Sequence, residues 1–145
     1  MITAKEYLMR AYLLNGRIDT KVRQLDELNE MATHITATIS DMPKVPSGET
    51  SRLENTVVKI IDLQAKINRK IDELVDLKAE IMSVIDEVPD ITEREVLERR
   101  YINMEAWTDM ATDLHFGLRR IYQIHGNALL SVEKVLKKLY PERVQ

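Results

Sequence analysis

The chain has 145 residues, 44% of them apolar and 31% charged, with 21 Lys/Arg against 24 Asp/Glu and a net charge of −3. That supports one modest domain, or a small domain plus an extended element, with enough apolar residues for a core and against global disorder. The absence of cysteine excludes disulfides and thiolate metal sites, and no apolar run approaches the ~18 residues that span a bilayer.

With no signal-peptide pattern at the N-terminus, a soluble cytoplasmic protein without a membrane partner is expected. Leu, Ile, Met and Val dominate the apolar set, and Gly and Pro number only four each, which is the composition of long helices. The first helix is predicted over residues 3–40. Thr3 and Glu6 have capping-box spacing, and Tyr7, Ala11, Leu14, Ile18, Val22, Leu25, Leu28, Ala32, Ile35 and Ile39 form one stripe at steps of three or four. Asn15-Gly16 is a turn dipeptide, but the stripe keeps phase across it, so a continuous helix is expected. The segment "SDMPKVPSGETS", residues 40–51, marks the clear loop, placed at 41–51 after the first helix, and Ser51 and Glu54 are expected to cap the second helix.

From Leu53 to Val88 the spacing is a heptad. Leu53, Ile60, Ile67, Leu74, Ile81 and Val88 take d, and Val57, Gln64, Ile71, Lys78 and Ile85 take a. At 1.5 Å per residue the rod would measure roughly 54 Å. Apolar residues at e and g (Ile61, Val75, Met82, Leu63, Leu77, Val84) widen the stripe beyond a two-stranded seam. The economical arrangement is a hairpin that pairs with a second copy. Gln64 and Lys78 fit a partly open seam, or else a choice of register. Pro89 ends the rod, Thr92 and Glu95 make a third capping box, and short helices are expected over 93–103, 107–114 and 117–138.

The last of these carries the unusual residues. On a helical wheel, Ile121, Ile124 and Ala128 share one side, with Leu118 and His125 at its edge. Arg119, Gln123 and Gly126 lie opposite, flanked by Arg120, Tyr122 and Asn127. A mid-helix glycine costs about 1 kcal/mol against alanine, which is easier to rationalise if a partner approaches the backbone. Arg and Gln can each make paired hydrogen bonds to purine edges in the DNA major groove. Residues 116–145 hold six Lys/Arg against two Asp/Glu, so this end of an acidic chain suits a polyanion.

The stretch "TEREVLERRY…AWTDMATDLHFGLRRIYQIHGNAL", residues 92–129, resembles region 4 of bacterial sigma factors, a helix-turn-helix that binds the −35 promoter element. The resemblance implies DNA-facing roles for Leu118, Arg119, Tyr122 and Gln123. His115 stands where that family has its turn glycine, Leu118 where it has an arginine, and Gly117 where it has a hydroxyl cap. A target other than the −35 sequence is therefore expected. With the hairpin in front, the layout is similar to phage-encoded ArpU-type late transcriptional regulators.

The resulting expectation is an all-α chain. Residues 1–89 form an oligomerising helical hairpin or coiled coil, and 90–145 a DNA-binding helix-turn-helix domain. Arg119 and Gln123 would read bases, while Arg120, Tyr122, Asn127, Lys134, Lys137 and Lys138 would touch or neighbour phosphates. So few cations on one motif imply a dimer or docking on host RNA polymerase to add contacts. A charge run by itself is usually a solvated face; the local excess of positive charge, the glycine and the motif weigh against that here. Trp107 reads as a core anchor. His34, His115 and His125 lack the spacing of a metal site or of a base–nucleophile pair. No paired carboxylates or glycine-rich phosphate loop stand out, so neither enzyme chemistry nor a cofactor is expected. The competing readings are a phage DNA-packaging adaptor and a coiled-coil protein–protein module.

Overall fold

The computed structural model describes residues 2–44 and 47–142. It is all-α, with helices α1 (Ala4–Ser40), α2 (Ser47–Asp86), α3 (Ile91–Leu97), α4 (Trp107–Leu114) and α5 (Leu118–Leu139). A π-helical turn, Glu98–Ile102, continues α3, and no strand occurs among the described residues. α1 and α2 make the long N-terminal hairpin. Thr3 caps α1 as its spacing predicts, accepting from Glu6 N at 3.1 Å, and α1 runs unbroken through Asn15 and Gly16.

Three boundaries differ from expectation. α2 begins at Ser47 instead of Ser51, so the second half of the expected 41–51 loop is helical. Glu49 in its first turn favours the positive end of the helix dipole and pairs with Arg52 at 3.6 Å. Val45 and Pro46, also within that expected loop, lie outside the described residues. α3 is capped by Asp90, whose carboxylate accepts from Glu93 N at 3.0 Å, instead of by Thr92. The helix expected over 93–103 is α only to Leu97; Asn103 N then reaches Glu98 O at 3.0 Å. A π turn inserts one residue into the helical phase. It presents Arg99 to three carboxylates, those of Glu95 at 2.7 Å, Glu105 at 3.2 Å and Asp113 at 3.3 Å.

The chain divides into two compact units. The first unites residues 1–14 with 74–145. Its main core joins Tyr7, Leu8 and Ala11 of α1, Ile81, Val84 and Ile85 of α2, Leu97 and Tyr101, and Ala128, Val132 and Leu136 of α5. The Tyr7 hydroxyl donates to Glu80 Oε2 at 2.9 Å. A second cluster, of Val96, Met110, Ala111, Ile121 and Ile124, holds α3, α4 and α5 together. Residues on both sides of Pro89, among them Ile85, Val88 and Leu97, belong to this core.

The second unit is residues 15–73. Among its described residues, Ile18, Ile35, Thr56 and Ile67 are buried. The expected a/d seam is split here: Ile67 at d is buried, whereas Val57, Gln64 and Ile71 at a are exposed.

Between α4 and α5 the turn takes three residues, His115, Phe116 and Gly117. His115 is left-handed, φ 59° and ψ 36°. Its N–H donates to Thr112 O at 3.3 Å, and Phe116 N donates to Ala111 O at 3.0 Å. That pair of bonds is a Schellman motif, completed by the apolar neighbours Phe116 and Ala111.

A residue with a Cβ in this conformation is disfavoured by roughly 1–2 kcal/mol, partly offset by glycine's greater entropy loss on folding. His115→Gly is therefore expected to stabilise the chain by about 0.5–1 kcal/mol, read as a raised urea midpoint at constant slope. A lowered midpoint would show that the histidine ring contributes more than its backbone costs. Leu8, fully buried, tests the shared core: Leu8→Ala should cost about 2–5 kcal/mol. Unchanged unfolding would remove the first turns of α1 from that core.

Candidate nucleic-acid interface

α5 is built to keep one side in and the other out. Ile121, Ile124, Ala128, Val132, Val135 and Leu136 are buried. Every residue expected to face DNA is exposed: Leu118, Arg119, Arg120, Tyr122, Gln123, Gly126, Asn127, Lys134, Lys137 and Lys138. At 100° per residue, Arg119, Gln123, Gly126, Leu130, Lys134 and Lys137 fall within one narrow stripe. Arg120 and Asn127 lie to one side of it and Tyr122 to the other.

The two flanks differ in what they meet. Arg120 and Asn127 border a cleft of ≈ 180 Å³ together with Asp90, Thr92, Glu93 and Phe116, so carboxylates of the α3 start share the space near Arg120. Glu93 also accepts from the Ser131 hydroxyl at 2.5 Å, tying α3 to α5. On the other flank, Tyr122 packs edge-on against Trp107 with centroids 5.4 Å apart. Lys137 is paired with Glu133 at 3.1 Å. Arg119 and Arg120 have no ion pair among the described residues.

The N-terminal end of α5 is electropositive. Gly117 gives no side-chain cap, and the first turn holds no acidic residue. The free N–H groups and the helix dipole there favour an anion. Gly126 has open space where a Cβ would stand, so nothing within the described chain requires a glycine at that position.

Behind the stripe, Trp107 is a junction, as its reading as an anchor anticipates. His125 packs edge-on against it at 4.7 Å and the Arg100 guanidinium lies 4.6 Å from its ring centre. The Arg100 guanidinium also lies 5.4 Å from the Tyr12 ring centre and donates to Glu105 O at 2.9 Å. Sequence reasoning missed Arg100 because the π turn that aims it leaves no periodicity signal. His125 Nε2 lies 2.6 Å from the Tyr101 hydroxyl. Burial, then the charges of Lys5 and Arg100, push the His125 imidazole down to about 4. Burial pushes the Tyr101 phenol up to about 12. Both are neutral at neutral pH, and we assign the histidine proton to Nδ1, so that Tyr101 donates to Nε2. No group of His, Cys, Asp or Glu suited to a metal ion occurs among the described residues. No helix among them is long and apolar enough to cross a membrane.

The His125 shift has a consequence for stability. An unfolded histidine protonates near pH 6.5, so between there and the folded value of about 4 only the unfolded state takes the proton. Stability is full above that window and falls as the pH drops through it. His125→Gln is expected to flatten this part of the curve, measured by urea unfolding at pH 7 and pH 5. An unchanged pH dependence would place the titration on another group.

A protein-family model described as a protein of unknown function, DUF1492, matches residues 34–133. The match takes in the end of α1, all of α2 to α4 and most of α5. No curated protein and no solved structure matches the chain. On the extent of that match, well over half of its length, the chain belongs to the DUF1492 family.

Proposed function

We propose that the chain is a sequence-specific double-stranded DNA-binding regulator of transcription. It is phage-encoded, acts in the bacterial cytoplasm and enters the major groove with the N-terminal half of α5. The observation that carries this reading is the exposed stripe of Arg119, Gln123 and Gly126 opposite a fully buried apolar side. A three-residue turn between α4 and α5 supports it, because helix-turn-helix motifs use turns of that length. So does the resemblance of residues 92–129 to sigma region 4.

The parts divide by chemistry. Arg119 and Gln123 address base edges. The bare N-terminal turn of α5 and Tyr122 take phosphate oxygens, which set register without reading sequence. Lys134 and Lys138 add sequence-independent attraction. Arg120 sits beside Asp90 and Glu93 and contributes less to attraction than Arg119. Gly126 lets the groove wall come close to the helix. A second copy of the chain, or host RNA polymerase, adds the contacts that one short motif lacks. Ring-like assemblies in solution would instead favour a packaging adaptor, and loss of all salt-dependent DNA affinity a protein–protein module.

Selection of bound duplexes from a random pool tests the proposal. Arg119→Ala should cost about 1–3 kcal/mol on the selected site and relax its specificity. Lys134→Ala should weaken all duplexes alike and reduce the salt slope by about one. Gly126→Ala separates fold from function. It should stabilise the free protein by about 1 kcal/mol while weakening the selected complex. Equal affinity for every duplex, unaltered by Arg119→Ala, would end the base-reading proposal.

A further inference from the structure

α2 carries a second seam beside its buried one. Val57, Ile61, Gln64, Asn68, Ile71 and Val75 follow one another at steps of four, three, four, three and four, the period of a coiled-coil face. Its four aliphatic members are all β-branched and stand 40%, 58%, 41% and 61% exposed in chain order. Gln64 and Asn68 at its centre are exposed as well.

The order Val-Ile-Gln-Asn-Ile-Val has the same pattern of residue class in both directions. We infer that α2 pairs antiparallel with α2 of a second copy of this chain along this seam, with the two-fold axis level with Lys66. Val57 then meets Val75, Ile61 meets Ile71, and Gln64 meets Asn68. One step further out, Glu54 meets Lys78. The parallel alignment would set Glu54 against Glu54 and Lys78 against Lys78, so charge selects the antiparallel one. The central amides fix the register, because any slip sets them against aliphatic side chains. A two-fold interface requires a self-complementary patch, and this face is one. The inference goes beyond the DNA-binding proposal and does not rest on it.

The full chain contains no cysteine, so introduced cysteines report the pairing directly. Ile61 and its own symmetry mate would lie about 15 Å apart along the axis, whereas Ile61 faces Ile71. Mixed Ile61→Cys and Ile71→Cys chains should cross-link about tenfold faster than either alone. The unsubstituted chain should sediment as a dimer. Lys78→Glu should weaken the dimer about fivefold through the two symmetry-related pairs, and adding Glu54→Lys should restore it. A monomer at micromolar concentration would overturn the inference. So would Ile61→Cys chains linking to themselves as fast as the mixture, or a charge exchange that fails to rescue. None of these readouts involves DNA, so the two proposals fail separately.

Discussion

Burial of the apolar side of α5 fixes how that helix is turned. Ile121, Ile124, Ala128 and Val132 are at most 4% exposed, and each of the larger ones contributes roughly 1.5–3 kcal/mol by leaving water. A rotation of even one residue, about 100°, would expose several of them together. The outward position of Arg119 and Gln123 is thus a by-product of what lies beneath them. Nothing has to bind those two side chains for them to be presented.

Adjacent arginines illustrate how far placement decides what a charge does. Arg99 and Arg100 stand side by side in the π turn, yet one meets three carboxylates and the other lies over two aromatic rings, Tyr12 and Trp107. Both hold the unit together. Arg119 and Arg120, adjacent in the same way at the start of α5, differ in turn: one points along the open stripe and the other borders acidic residues. Four arginines in two similar pairs therefore have four environments. Of the four, only Arg119 combines exposure and a place on the stripe with absence from the cleft that holds Asp90 and Glu93.

The helices themselves were largely legible, because repeats of three and four mark α1, α2, α4 and α5 directly. The inward and outward sides of α5 followed from the same repeat. Local ambiguities defeated the rest. Asp90-x-x-Glu93 and Thr92-x-x-Glu95 are overlapping boxes of equal spacing, and Pro89 lets the helix begin at the earlier one. Ser47 and Gly48 read as loop residues, but both cost little in a first turn where the backbone is only partly bonded. The joining of 1–14 to 74–145 is a long-range pairing that local periodicity does not encode. The heptad located the apolar residues of α2 but did not say which of two adjacent seams the chain itself would cover.

The core of the first unit is stitched from strips of sequence far apart, as the Tyr7–Glu80 bond across 73 residues shows. Closing such an excursion costs free energy that grows only with the logarithm of its length, about 0.6 kcal/mol for each doubling. The cost of bringing those strips together therefore depends only weakly on how many residues stand between them.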